Sequence, residues 1–517
     1  MIAQQPTTII GSPRKWLRPP VILLLQAALL SGCAVGPDFT PPPAPAVGGY
    51  TRERTPAPTV ASAVEAGKGQ TFAKGRDLPG EWWKLFHSKT IDSLVAESIR
   101  THPDIMAGQA ALRAARENAN AERGALLPQA TLAVNQAREG IPAAENGQKG
   151  ASSVYNLSTA STTVSFDPDV FGGVKRTIEG LDAQAEYARW QLEATQLALT
   201  ANLVTTLILD ASLRAQIAAT QQIIRSESEQ LDLLQKRFHL GAVAQTDVLL
   251  QESTLDQTKA TLPPLEKSLA QNRNQLMAYL GRLPSEDRGE SVELAQLNLP
   301  GQLPLSLPSA LVRQRPDVLA AEETLRQANA QIGVATANML PKFSLSATFG
   351  SAALSPGAMF GPQAAAWSLA AGATQPLFKG GSLLHTREAA IASRDQDAAQ
   401  YRSTVLKAFQ NVADSLRAIQ FDAKALAAQA ETEGASARSL AISRSQFQTG
   451  GTTWNSVLTA EQTYQNAVIA RVKAQAQRYA DTTALFQSLG GGWWNRVDET
   501  QQAQPRSLSK IIEAHGD

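Results

Sequence analysis

The chain has 517 residues, with 47 lysines and arginines set against 46 aspartates and glutamates, five histidines and one cysteine. This balance gives no sign of the clustered basic surface that a nucleic-acid binder favours, and a single cysteine excludes a disulfide within the chain. His87, His102, His239, His385 and His515 lack metal-ligand spacing, and neither a nucleophile elbow nor a phosphate loop occurs, so no catalytic residue, metal or cofactor is expected.

In chain order, Arg14, Lys15 and Arg18 precede the apolar run from Val21 to Leu30, about half the length a membrane helix needs. Residues 1–32 therefore read as a cleaved secretory signal. Leu30-Ser31-Gly32-Cys33 resembles the lipobox of bacterial lipoproteins, which implies cleavage before Cys33 and its acylation. Acyl chains contribute roughly 0.8 kcal/mol per buried methylene. By the same resemblance, Ala34-Val35 without an Asp after the cysteine implies the outer membrane. Residues 33–78, rich in Pro and Gly, are expected to form an extended tether, with order beginning near Glu81-Trp82-Trp83. No later apolar run approaches 18 residues, so any membrane crossing falls to strands of a closed barrel.

The rest of the chain is duplicated. His102-Pro103-Asp104, Leu112-Arg113 and Leu127-Pro128 recur at one constant offset as Arg315-Pro316-Asp317, Leu325-Arg326 and Leu340-Pro341. Phe171-Gly172-Gly173 has a partner in Phe378-Lys379-Gly380-Gly381. Phe238, Gly241, Val248, Leu249 and Glu252 recur as Phe447, Gly450, Val457, Leu458 and Glu461, and Leu280-Gly281 as Leu489-Gly490. Residues 79–285 and 311–497 thus form two repeats joined by a linker, 286–310, with a polar tail at 498–517. Each repeat reads as helix, two strands, very long helix, glycine turn and returning helix.

From Leu181 to Leu240 there is neither Gly nor Pro, enough for a helix of roughly 90 Å. Leu181, Ala185, Ala188, Leu192, Thr195 and Leu199 follow a coiled-coil seam, and Val248, Leu255, Leu262, Leu269 and Leu276 fall every seventh residue. Pro263-Pro264 is expected to kink or restart the returning helix. Phe343, Leu345, Ala347 and Phe349 alternate with Lys342, Ser344, Ser346 and Thr348, an apolar-out, polar-in wall, and Leu132 and Val134 alternate with Thr131, Ala133 and Asn135. Trp367, Leu369 and Ala371 do so more weakly, and Tyr155 to Phe166 is a strand rich in Ser and Thr. Four strands per chain cannot close a barrel that needs about eight, so two, three or four copies must share one.

With these features, including Gly36-Pro37-Asp38-Phe39, Trp82-Trp83-Lys84-Leu85-Phe86 and Leu489-Gly490-Gly491-Gly492-Trp493, the chain resembles the TolC-like outer-membrane efflux proteins, specifically the NodT-type lipoproteins of resistance–nodulation–division systems. The resemblance implies a mainly α subunit with membrane β. Three copies would share a twelve-stranded barrel continued by a long α-helical coiled-coil barrel. It implies a passive exit duct for small molecules, anchored in outer-membrane lipid and projecting into the periplasm, with a periplasmic adaptor and an inner-membrane pump as partners. The two turns resemble the family's periplasmic tips, so Gly241, Thr246, Asp247, Val248, Leu249, Gly450, Ser456, Val457 and Leu458 are candidate adaptor contacts. Gly241 and Gly450 suit left-handed helix ends, and Thr246 or Asp247, and Asn455 or Ser456, are candidate caps. Asp247, Phe447, Asn455 and Thr459 are gate candidates. Thr459 stands where some members carry an acid, so polar or packing-based closure is expected over an ion-paired gate. Two other readings stay open: the exit duct of a protein-secretion system, and a lipid-anchored periplasmic coiled-coil scaffold without a pore.

Overall fold

The computed structural model describes residues 34–53, 57–142 and 151–496. The signal segment 1–32, Cys33 and the tail 498–517 lie outside the described residues. The elements, in order, are β1 (Thr71–Lys74), α1 (Lys89–Thr101), α2 (Pro103–Arg123), β2 (Gln129–Ile141), β3 (Ser153–Phe166), α3 (Gly173–His239) and α4 (Gln245–Tyr279). After β4 (Gln302–Leu305) the pattern repeats as α5 (Pro308–Gln314), α6 (Pro316–Ala337), β5 (Lys342–Ala353), β6 (Ala365–Thr374), α7 (Ser382–Gln448) and α8 (Trp454–Ser488).

The duplicated X-Pro-Asp motif has one physical job in both copies. His102 and Arg315 take extended backbone, which a following proline favours. Pro103 and Pro316 then open the next helix, where a missing N–H costs nothing. The expected restart at Pro263-Pro264 does not occur, since α4 is one element of 35 residues. Both prolines are exposed, so water can meet the carbonyls their rings leave unpaired.

Two compact units divide the described residues: those within Met1–Thr40, Arg116–Ala183 and Leu325–Gln396 make a sheet unit, and those within Pro41–Ala115, Gln184–Thr324 and Asp397–Asp517 a helical unit. The sheet unit holds one antiparallel sheet of four strands, ordered β2-β3-β5-β6. Each repeat supplies one hairpin, and β3 pairs with β5 to join them.

In the helical unit the Trp82-Trp83-Lys84-Leu85-Phe86 motif is the centre of the main core. Trp82 packs on Phe486 and Phe86 on Tyr479, with ring centroids 5.7 and 6.2 Å apart. Leu203, Val204, Leu207 and Ile208 of α3 are buried in the same cluster. α3 contains a stretch long and apolar enough to cross a bilayer by composition, contrary to the reading that no such run follows Cys33. The burial of those four residues marks α3 as a core helix.

The free tether expected over 33–78 is, in its described residues, a strap instead. β1 pairs in parallel with β4, Leu78 is fully buried, and the Tyr50 hydroxyl donates to the Ser306 carbonyl at 2.9 Å. Arg478, 1% exposed, donates to the carbonyls of Ala66 and Lys68 and to the Gln70 amide oxygen. A Pro-rich stretch without helical or strand period still has carbonyls to offer, and a buried arginine with five donors collects them.

Candidate functional site

The two hairpin turns are built alike. Gly241 and Gly450 have φ of 72° and 73°, where L side chains are strained. Ala242 N–H donates to Arg237 O at 2.9 Å, and Gly451 N–H to Gln446 O at 2.8 Å, so each long helix closes on a left-handed cap. The returning helices begin earlier than expected. Ala244 is the N-cap of α4, and Asp247 reaches back to accept from its N–H at 3.4 Å. Thr453, whose hydroxyl accepts from Ser456 N–H at 3.4 Å, caps α8. Thr246, Asn455 and Ser456 therefore sit inside the first turns instead of capping them, because the cap precedes by three residues the N–H it satisfies.

The counterpart leucines Leu458 and Leu249 meet opposite environments in the two copies. Val457 and Leu458 are buried with Leu234, Leu440 and Trp454, against which Val243, Val248, Phe447 and Tyr464 pack. Leu249, the counterpart of Leu458, is 54% exposed, and Leu240 at the first turn is 83% exposed. Phe447 lies on Trp454 at 4.9 Å between centroids, under the Arg237 guanidinium. Its ring thus belongs to this cluster. Asn455 and Thr459 are exposed, with the Thr459 hydroxyl turned back to the Asn455 carbonyl at 3.0 Å.

Behind that cluster lies a buried polar network that periodicity alone could not reveal. Glu227 of α3 is fully buried and accepts from Thr258 of α4 at 3.0 Å and Gln465 of α8 at 2.7 Å. Glu461 of α8, 3% exposed, accepts from Gln230 of α3 at 3.0 Å and Arg444 of α7 at 2.9 Å. The two carboxylates thereby tie all four hairpin helices together. Burial raises the Glu227 carboxyl above its ordinary range, Gln465 and Thr258 draw it back down, and Glu461 pushes it up. The one signal in the sequence was Glu461 within the repeated motif.

The second functional surface is the sheet. Its register lines up Leu132, Thr162, Phe349 and Trp367 on one face and Thr131, Thr163, Thr348 and Ser368 on the other. The Thr163 and Thr348 hydroxyls bond each other at 3.1 Å. On the apolar face Trp367 and Leu369 are each 78% exposed. A soluble sheet would cover such a face. β2 and β6 pair on one side only.

Among the described residues no cluster of His, Cys, Asp and Glu has the makings of a metal site. The family model for outer membrane efflux proteins matches residues 94–282 and 307–491, one stretch over each repeat. The chain is 25% identical over 485 residues to the toluene efflux pump outer membrane protein TtgC of Pseudomonas putida, covering 93% of this chain and 97% of that protein. It is 24% identical over 477 residues to nodulation protein T of Rhizobium leguminosarum bv. trifolii, covering 91% and 96%. The outer-membrane channel OprN superposes with a TM-score of 0.79 at 26% identity, over 89% of this chain and all of that one. Duplicated hairpins, a sheet apolar on its open face and these matches lead to one conclusion: the chain belongs to the outer membrane efflux protein family and is an outer-membrane channel subunit of an efflux system.

Proposed function

We propose that the protein is a passive exit duct, not an enzyme, and that three copies close one twelve-stranded barrel and one hollow helical stem. The observation that carries this reading is the sheet, with an exposed apolar face, a Thr- and Ser-lined face and two unpaired edges. Unpaired edges are untenable in lipid, and β6 of one copy beside β2 of the next continues the antiparallel alternation. The polar face then lines a water-filled path, and the apolar face meets the acyl chains.

Cys33 is proposed as the acylated residue that adds a lipid anchor. Energy comes from an inner-membrane pump of the resistance–nodulation–division type, and a periplasmic adaptor docks on the hairpin turns. Leu240 and Leu249, exposed at the first turn, suit that contact. Stepwise conductance of purified protein in planar bilayers tests the pore, and a chain that never conducts overturns it. Cysteine pairs, one on β2 and one on β6 of the same chain, scanned in a Cys33→Ser background test closure. Oxidation should give a ladder ending at the trimer, and exclusively monomeric product refutes the shared barrel.

A further inference from the structure

The sheet unit is built to hold the Gly36-Pro37-Asp38 motif. Arg176 of α3 is 5% exposed. Its Nε donates to the Val35 carbonyl at 3.1 Å, and its Nη2 to the Gly36 carbonyl at 3.3 Å and the Asp38 carboxylate at 2.7 Å. Asn329 of α6 donates to the Pro37 carbonyl at 2.8 Å. Val35 in turn donates to the Phe171 carbonyl at 3.0 Å. A Cβ on Gly36 would stand 2.5 Å from the Cα of Gly333, and one on Gly172 would stand 2.6 Å from that of Ala34. Three backbones thus meet where no side chain fits.

This seat lies beside the wall of the sheet. The Phe171 ring packs on Phe343, 6.4 Å between centroids, and Phe343 is on the exposed apolar face of β5. Among the described residues the second repeat has no such seat. Leucines 383 and 384 stand in the stretch of α7 that corresponds to Arg176, and Phe378, the counterpart of Phe171, is 89% exposed. The arginine was therefore not needed for the strand-to-helix junction itself, which both repeats make. Among the described residues, its acceptors outside α3 all come from residues 34–38, the segment that follows Cys33 in the sequence.

We propose that Arg176, Gly172, Gly333 and Asn329 form a receiving site for residues 34–38, which holds the acylated N-terminus against the sheet so that its lipid enters the bilayer at one fixed place beside the barrel wall. This rests on the reading of Cys33 as acylated. The site supplies what a flexible tether lacks: the effective concentration of lipid at the wall is set by the seat and not by a wandering chain.

The test uses the full chain expressed in cells, labelled with palmitate, with the amount of heat-resistant oligomer in outer-membrane fractions as the readout. The variants are Arg176→Ala, Arg176→Lys, and an insertion of about six Gly and Ser residues between Cys33 and Ala34, which leaves the seat intact but frees the lipid from it. All three should incorporate label as the unmodified chain does. Arg176→Ala and the insertion should both lower the oligomer severalfold. Arg176→Lys should fall between, because an ammonium lacks the fork that spans several carbonyls. If the insertion assembles normally while Arg176→Ala does not, Arg176 only supports the fold and the proposal is overturned. Normal assembly of Arg176→Ala overturns it as well. Absence of label on the unmodified chain removes the acylation reading instead, and the peptide seat would then be shown to hold no lipid.

Discussion

The two helix hairpins have the same skeleton and different surfaces. α3 and α7 each have 67 residues, α4 and α8 each have 35, and the turn glycines differ in φ by a degree. Yet Leu458 is 5% exposed and its counterpart Leu249 is 54% exposed, while Leu240 stands where the second turn has Thr449. Backbone geometry therefore survived duplication because caps and lengths depend on local hydrogen bonds. Side chains diverged because within one chain only one hairpin can occupy the inside of the pair. The second hairpin supplies most of the tip core, with Leu234, Val243 and Val248 of the first joining it, and the first keeps Leu240 and Leu249 exposed for a neighbour or a partner.

Substitution at the matched positions should break that comparison most sharply. Val457→Asp places a charge at a fully buried site among Leu234 and Trp454 and should cost several kcal/mol, on the order of 3–5, read as a fall in the thermal midpoint. Leu458→Ala should cost roughly 2–5 kcal/mol. Leu249→Asp should leave the midpoint nearly unmoved while abolishing adaptor capture. A midpoint that falls equally for Leu249→Asp and Leu458→Asp would mean that the hairpins are equivalent after all.

Removing Arg444 strands Glu461, which keeps only Gln230 as a donor. Because Arg444 is itself 40% exposed, the expected cost of Arg444→Ala is moderate, about 1–3 kcal/mol. Proteolysis at the turns is the check, since the second hairpin should loosen first. Nearer the main core, Asp481 of α8 is raised to about 8 by burial and by its hydrogen bond with Asp422. Its folded value lies above its unfolded one, so its contribution is fully present below about pH 4 and is lost as pH rises toward about 8. Asp481→Asn should flatten that fall, and an unchanged pH profile would show that Asp481 does not titrate there.

The smallest effects belong to the shared backbone. Gly241→Ala and Gly450→Ala should each cost about 1 kcal/mol, equally in the two hairpins. A clear inequality would show that the turns are not the common part. Asp247→Asn should cost only a few tenths of a kcal/mol through its bond to Ala244 N–H. A ring of three such acids should lose cation selectivity in bilayer recordings. Identical conductance and selectivity would remove Asp247 from the gate.

The helices, the turns and the sheet faces could be read from residue order alone. Their signals are local: a stretch without Gly or Pro from Leu181 to Leu240, a glycine where φ must be positive, and alternation from Phe343 to Phe349. The repeat then multiplied each signal by two. The helix caps were misplaced by a few residues because Thr and Asp have the same sequence appearance at the cap and one turn inside it.

What the tertiary structure alone decided concerns partners far apart in the chain. Glu227 and Gln465 come from different repeats, and no period marks a buried carboxylate among the many exposed ones. The strap around Arg478 and the seat of residues 34–38 on Arg176 look from sequence like proline-rich linker, because carbonyl acceptors are the same in every residue. Composition sets which segments can stand alone as helix or strand. Only the fold determines which buried donor a featureless stretch of backbone will satisfy.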